Sequence, residues 1–231
     1  MISRKQLAVI LCCICNLAFG QEDKIINIEF DHFFGKQQLL LDHYYSTDSA
    51  GDSIKVNVLK YYISNIAFCD DSSAIWQEPE SYHLLNVRDL GSLNLKLKVP
   101  GELSFNRIKF DLGIDSMTNS KGVKGGDLDP TKGMYWTWQS GYINFKIEGN
   151  SNLCKTRKNE FVFHLGGFQQ GFDCVQRMVF ETKKLDKIII LVDVRKLIES
   201  TDLAATNHIM SPGDQAKKMS VVLNKIFTIS E

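Results

Sequence analysis

The chain has 231 residues, with 27 Lys and Arg balanced by 27 Asp and Glu. This even charge balance excludes the basic surface by which proteins bind nucleic acids or anionic membranes. The part of the chain after residue 20 has the length of one large all-β domain. A chain of this length can bury a core without the help of disulfides.

The first twenty residues have the pattern of a secretory signal peptide. Arg4 and Lys5 precede an apolar run over 7–19, and Ala18-Phe19-Gly20 offers small residues for cleavage before Gln21. The run is too short to span a bilayer comfortably, and no second long apolar run follows it. We therefore predict a periplasmic or secreted mature chain without a transmembrane segment. Lipoprotein anchoring through a cysteine of the apolar run is the less favoured alternative.

Three cysteines follow the signal peptide, namely Cys69, Cys154 and Cys174. An odd number in an exported chain suggests one bridge and one spare thiol. Cys154 and Cys174 bracket a hairpin-like stretch, so we predict a disulfide between them and a free Cys69. Three reduced, buried cysteines are the alternative.

Most of the mature chain consists of short alternating runs separated by Gly, Asn, Asp and Ser, a pattern typical of sandwiches and barrels. The predicted strands, in chain order, are 25–30, a second beginning at 39–41, 54–68, 82–87, 93–99, 108–112, 134–148, 160–165, 175–181 and 187–194. We therefore predict a single all-β domain over 21–231, folded as an antiparallel β-sandwich.

A long glycine-rich loop is predicted over 113–133, and loops of this length are usually functional or disordered. Its oxygen-bearing side chains suit a hard ion such as calcium, but their spacing does not match an EF-hand loop. A solvated loop with Asx turns is the favoured interpretation. The oxygen-bearing residues are Asp115, Asn119, Asp127 and Asp129.

A helix is predicted near the C-terminus. Ser211 is a suitable N-cap and Pro212 suits the first helical position. The apolar residues that follow recur at helical spacing, so we expect the helix to pack on the sandwich. They are Ala216, Met219, Val222 and Ile226.

One segment runs Leu128-Asp129-Pro130, then Gly133-Met134-Tyr135-Trp136-Thr137-Trp138-Gln139-Ser140-Gly141-Tyr142. It resembles the signature of the MbnP-like copper-binding family. Three other segments agree in order and spacing, namely Tyr61-Tyr62-Ile63-Ser64-Asn65, Phe163-His164-Leu165-Gly166-Gly167 and His208-Ile209-Met210-Ser211-Pro212-Gly213. The sequence looks closer to the Bacteroidota-type members of that family.

The resemblance implies an extracytoplasmic β-sandwich with a copper site. In some relatives this site uses histidines together with a tryptophan that has been oxidised to kynurenine. It also implies a dihaem peroxidase partner that makes this modification.

No two histidines lie at local metal-binding spacing, so any site must be assembled from distant segments. Imidazole suits copper, and a thioether suits copper(I). His164, at the end of a predicted strand, is the first candidate, and His32 beside Asp31 is the second. His208 is the third, with Met210 as a candidate thioether. The alternatives are histidines bonded to backbone or solvent and a methionine that fills space. His43 and His83 are expected at the surface or at strand edges.

On the predicted strand 134–148, Trp136 and Trp138 point to the same face. They either anchor the core or place an indole, or its oxidised form, beside the metal.

The sequence lacks the motifs of hydrolases, metalloproteases and nucleotide-binding enzymes. We predict a non-enzymatic protein that binds copper for storage or delivery. The alternative is a non-catalytic module that binds a protein, peptide or glycan through the aromatic segment and the long loop. A hydrolase with scattered catalytic residues is the least favoured interpretation.

Overall fold

A computed structural model describes residues 22–47, 51–71, 73–137 and 139–230. The predicted signal peptide and Trp138 lie outside the described residues. The predicted β-sandwich with a C-terminal helix is confirmed. Among the described residues, no helix combines the length and the apolar composition needed to cross a bilayer.

The described strands form two sheets. They are β1 (Asp23–Phe34), β2 (Gln37–Gln38), β3 (Tyr44–Ser46), β4 (Ser53–Asp70), β5 (Ser73–Gln77), β6 (Tyr82–Asn86), β7 (Asn94–Pro100), β8 (Arg107–Leu112), β9 (Ile143–Ser151), β10 (Glu160–Gly166), β11 (Gln176–Glu181), β12 (Lys187–Asp193), β13 (His208–Ile209) and β14 (Phe227–Ile229). The smaller sheet has the order β14-β12-β1-β2, with β7 also on β1. The larger has the order β11-β8-β4-β9-β10-β13, with β3, β5 and β6 on β4. The β1–β12 and β10–β13 pairs are parallel, and the other pairs are antiparallel.

Alternating residues fill the space between the two sheets. On β1, Ile26, Ile28 and Phe30 are buried, while the residues between them are more exposed. Phe145 of β9 and Phe163 of β10 face them from the larger sheet. Each such side chain contributes about 1.5–3 kcal/mol when it leaves water. The core therefore fixes which face of each strand points outward.

A second apolar cluster lies on the outer face of the larger sheet, where residues 113–142 fold back over it. Its members are Tyr62, Leu84, Ile114, Leu128, Met134, Tyr142 and Ile143. The hydroxyls of Tyr62 and Tyr142 donate to the carbonyls of Asp127 and Leu128, at 3.0 Å each. The predicted glycine-rich loop is thus packed against the sheet.

Short helical turns and capped aspartates shape this segment. Asp115 caps helix α1 (Ser116–Ser120), and Asp129 accepts from the backbone N–H of Thr131. The predicted Asx turns are therefore confirmed at Asp129, whereas Asp115 accepts from the backbone N–H of Thr118 as a helix N-cap. Two 3₁₀ turns, Gly126–Leu128 and Pro130–Lys132, complete the segment.

The predicted strand over 134–148 is wrong in its first half, because β9 begins only at Ile143. Before it the chain makes a tight reversal, in which Tyr135 pairs with Tyr142 and the N–H of Trp136 donates to the carbonyl of Gly141. Gly141 has a φ of 73°, which glycine adopts without strain. This turn interrupts the extended backbone that the alternation had suggested.

Two further helices are described, α2 (Val194–Glu199) and α3 (Asp214–Val222). The buried stripe of the predicted C-terminal helix is confirmed at Ala216 and Met219. The predicted N-cap at Ser211 is wrong, because Gly213 holds that position. The preceding residues are held alongside β10 instead, so the helix cannot begin earlier.

The predicted disulfide between Cys154 and Cys174 is wrong. Both thiols are free and buried, as is that of Cys69. Cys154 lies at the turn before β10, whereas the backbone N–H of Cys174 bonds to Gly167, just after β10 ends. The strand between them is roughly 20 Å long, far beyond the reach of a disulfide.

Candidate metal centre

His164 lies on the outer face of the larger sheet. Along β10, Phe163 and Leu165 point into the core, so His164 points the opposite way. It pairs with Lys146 of β9, and Glu148 extends from the same face two residues further along β9. Although this face lies outside the core, His164 is only 5% exposed.

The two ring nitrogens of His164 have different environments. Nε2 lies 2.7 Å from Oε1 of Glu148, whereas Nδ1 is buried and has no hydrogen-bond partner among the described residues. Burial tends to raise the pKa of Glu148, but the His164 hydrogen bond and the Lys146 charge outweigh it and lower that pKa. Glu148 is therefore an ionised acceptor, so Nε2 carries the proton.

The neutral form of His164 is the favoured one. Burial lowers its pKa, and the nearby Lys146 charge adds to this, against the opposing effect of Glu148. In the neutral ring Nδ1 then keeps its lone pair. Metal-bound imidazoles usually donate their other N–H to a carboxylate, as His164 does here.

His208 is brought to the same face by the parallel pairing of β13 with β10. It pairs with Val162, which lies two residues before His164 and on the same side of the strand. The strand spacing and rise place the Cα atoms of His208 and His164 about 8 Å apart. His208 also lowers the pKa of His164, after the larger effects of burial and Glu148. His208 itself is exposed.

Trp136 lies against the same strand. A Cβ atom added to Gly166, two residues after His164, would lie 2.9 Å from Cζ3 of the Trp136 indole. The indole Nε1 is buried and has no hydrogen-bond partner among the described residues. An aromatic ring and two imidazoles therefore lie along one short stretch of β10.

A pair of lysines holds the segment 113–142 over this face. Lys60 of β4 pairs with Lys146 of β9, and their ammonium groups donate to the carbonyls of Lys132 and Gly133, at 3.1 Å each. Burial and the adjacent Lys146 charge lower the pKa of Lys60. These bonds fix the chain just before Trp136.

The other histidines lie elsewhere. His32 is buried between the sheets, where its Nε2 lies 2.9 Å from the Tyr61 hydroxyl. The structure therefore does not bring His32 to the face that carries His164 and His208. His83 bonds to Glu78 at 2.8 Å, and exposed His43 lies edge-on to Tyr45.

A family model described as MbnP matches residues 23–211. The chain belongs to the MbnP family. The structure of MbnP from Methylosinus trichosporium superimposes with a TM-score of 0.56, at 14% sequence identity, over 84% of this chain and 83% of that chain. At this identity the likeness shows a shared fold. No curated protein matches the chain in sequence.

The MbnP match extends over His164, His208, Trp136 and Met210. Within the described ranges, no three His, Cys, Asp or Glu side chains are grouped so that they could hold a metal ion. The residues present fit copper through the unpartnered Nδ1 of His164, with the imidazole of His208 nearby. The loop carboxylates fit calcium less well, because Asp115 and Asp129 accept backbone N–H bonds.

Sequence reasoning missed Glu148 and Lys146. Their alternation on one strand, Lys146-Ile147-Glu148, indicates that the two side chains share a face. Nothing local in the sequence shows that this strand pairs with the one that carries His164.

Proposed function

We propose that this MbnP-family chain binds copper outside the cytoplasm, for storage or delivery, and does not turn over a substrate. The observation that carries the proposal is the buried, unpartnered Nδ1 of His164, whose Nε2 is held by Glu148. A buried nitrogen without a partner costs about 1–3 kcal/mol. A metal ion bound at this lone pair would remove that cost.

His208 is the second proposed ligand, because the register places it beside His164. Bound copper is the cargo in this proposal, and the chain's part is to hold it. His164 supplies a fixed lone pair, Glu148 fixes the ring that carries it, and Trp136 shields the adjacent strand from water.

The proposal extends to a tryptophan oxidised by a dihaem peroxidase partner, as the family resemblance implies. Trp136 is the described candidate, since its indole lies against Gly166. Conversion of Trp136 to kynurenine adds oxygen and removes one carbon of the indole ring, and tandem mass spectrometry of protein from its native compartment would locate this mass change at residue 136 of its peptide. An unmodified mass for that peptide would remove Trp136 from the proposal.

The test is a copper titration of metal-free protein in competition with a chelator. His164→Gln keeps a side-chain donor for Glu148 but removes the imidazole. Loss of a supporting group alone weakens metal sites about 10- to 100-fold, so we expect the loss of this ligand to cost at least as much.

His83→Gln is the matched control, because His83 also bonds through Nε2 to a glutamate, at 2.8 Å. We expect its copper affinity to equal that of the wild type. Equal affinities in the wild type and both variants would refute the assignment of His164.

A further inference from the structure

A tyrosine and a histidine meet in the core between the two sheets. Tyr61 of β4 is fully buried, and its hydroxyl lies 2.9 Å from Nε2 of His32 on β1. Both are ionisable groups, which proteins rarely bury without a partner. Their hydrogen bond joins the larger sheet to the smaller one inside the sandwich.

The shared proton of this hydrogen bond lies on Tyr61. Burial raises the pKa of the Tyr61 hydroxyl. Burial also lowers the pKa of His32 to about 4, against the opposing effect of its hydrogen bond to the backbone of Phe30. At neutral pH both groups are therefore uncharged. Because the ring N–H of His32 donates to the Phe30 backbone, Nε2 offers its lone pair to the hydroxyl.

Aromatic rings enclose the ring of Tyr61. Phe145 stacks on it with the ring centroids 5.8 Å apart, and Phe30 and Phe227 lie edge-on at 6.2 and 5.6 Å. Each of these three phenylalanines is at most 2% exposed. The Tyr61 ring is thus shielded from solvent and from dissolved reductants.

The partner of its hydroxyl distinguishes Tyr61 from other buried tyrosines. The hydroxyls of Tyr45, Tyr62 and Tyr142 donate to backbone carbonyls, at 3.0 Å each. A carbonyl oxygen accepts a hydrogen bond but is too weak a base to take the proton, whereas a neutral imidazole nitrogen takes one. Proton transfer requires a base within roughly 2.6–3.2 Å of the donor atom, and His32 meets this requirement for Tyr61.

This arrangement suits the one-electron oxidation of a phenol. Loss of an electron turns a phenol into a radical cation, which is a far stronger acid than the phenol itself and gives up its hydroxyl proton. In a buried site no water is at hand to take that proton, so an adjacent base has to accept it. The neutral tyrosyl radical can therefore form at a buried tyrosine that is bonded to an imidazole.

A row of tyrosines connects this pair with the outer face of the larger sheet. The ring centroids of Tyr135 and Tyr142 are 4.9 Å apart, and those of Tyr142 and Tyr62 are 5.8 Å apart. Tyr62 and Tyr61 are consecutive on β4 and point to opposite faces, one into the outer cluster and one into the core. Short steps between aromatic rings thus lead from half-buried Tyr135 to the core.

We propose that Tyr61 and His32 form a one-electron redox site. A one-electron oxidant of high potential, the class to which a ferryl haem belongs, takes an electron from Tyr61 through the row of tyrosines, and the hydroxyl proton moves to Nε2 of His32. The products are a neutral Tyr61 radical, a His32 imidazolium and the reduced oxidant. When one electron returns, the proton moves back from Nε2 to the Tyr61 oxygen. This site is separate from copper binding and requires no metal.

The test oxidises the metal-free chain with photogenerated ruthenium(III) tris-bipyridine. The tyrosyl radical is followed by transient absorption and by electron paramagnetic resonance of rapidly frozen samples. Tyr61→Phe removes the hydroxyl, whereas His32→Gln keeps a polar partner for Tyr61 and removes the base. Tyr45→Phe is the matched control, because Tyr45 is also buried and its hydroxyl donates to a carbonyl.

We expect the wild type and Tyr45→Phe to form the same long-lived tyrosyl radical and Tyr61→Phe to lose it. In His32→Gln the radical should form at least about 100-fold more slowly, the lower range for loss of a positioned base. In the wild-type chain labelled with ¹⁵N-histidine, electron–nuclear double resonance should show a coupling between the radical and an imidazole nitrogen.

An undiminished radical in Tyr61→Phe, or equal rates of formation in the wild type and His32→Gln, would overturn this inference. A wild-type radical that is short-lived, or that lacks the coupling to an imidazole nitrogen, would overturn it without relying on the folding of any variant. Because the chain is free of metal throughout, these outcomes leave the proposed copper binding to its own test.

Discussion

At the scale of single residues, two buried histidines take opposite roles. Burial lowers the pKa of both His32 and His164. His32 bonds to the Tyr61 hydroxyl and to the backbone of Phe30, whereas one ring nitrogen of His164 has no partner in the part of the chain that the structure describes. We therefore interpret His32 as a part of the core and His164 as a ligand.

His32 makes the stability of the fold depend on pH. Burial lowers its pKa from 6.5 to about 4, so between these values the unfolded chain binds more protons than the folded one. The contribution of His32 to the free energy of unfolding is thus fully present above the pKa of the unfolded chain, and it is lost as the pH falls towards the pKa of the folded chain. From pH 7 to pH 4 the contribution of His32 should fall by about 3 kcal/mol.

The measurement is urea unfolding at both pH values for the wild type and His32→Gln, which keeps a polar partner for Tyr61. The wild type should lose about 3 kcal/mol more than the variant does. Equal losses in the two proteins would show that His32 titrates normally in the fold.

At the scale of elements, the segment 113–142 packs as a cover on the larger sheet. The two lysine bonds to Lys132 and Gly133 and the two tyrosine hydroxyls fix it in place. The many glycines and aspartates of this segment predict a loop. They do not show whether the loop is solvated or folded onto a sheet. The cover depends on buried residues such as Leu128 and Met134, which are scattered along the segment.

The contact between this cover and β10 requires a glycine at 166. An alanine Cβ there would lie 2.5 Å from the carbonyl oxygen of Tyr142 and 2.9 Å from the Trp136 ring. We expect Gly166→Ala to lower the free energy of unfolding by about 1–3 kcal/mol, as overpacked sites do, and to increase quenching of tryptophan fluorescence by acrylamide.

Gly125→Ala is the control for this prediction, because Gly125 has nothing within 4 Å of an added Cβ and a φ of −87°. Its stability should stay within about 0.5 kcal/mol of the wild type. If the two variants were equally stable, Trp136 would not be packed against β10.

At the scale of the whole molecule, the alternation along single strands is enough to predict a sandwich, and the stripe from Ala216 to Met219 predicts the helix. Pairing between distant strands is not encoded locally, because it depends on which buried faces meet in the core. The β10–β13 pair joins residues more than forty positions apart and brings His208 to the face that carries His164. The disulfide prediction failed for the same reason, since the sequence does not show that its cysteines lie at opposite ends of β10.

The most direct test of the account is ¹⁵N NMR of the histidine side chains, before and after one equivalent of copper(I) is added. In metal-free protein His164 should be the Nε2–H tautomer, with a lone pair at Nδ1. Copper(I) should shift the Nδ1 resonance of His164 while Nε2 remains protonated and bonded to Glu148. Copper(I) binding that leaves the Nδ1 resonance of His164 unchanged, or that displaces the proton of Nε2, would contradict the account.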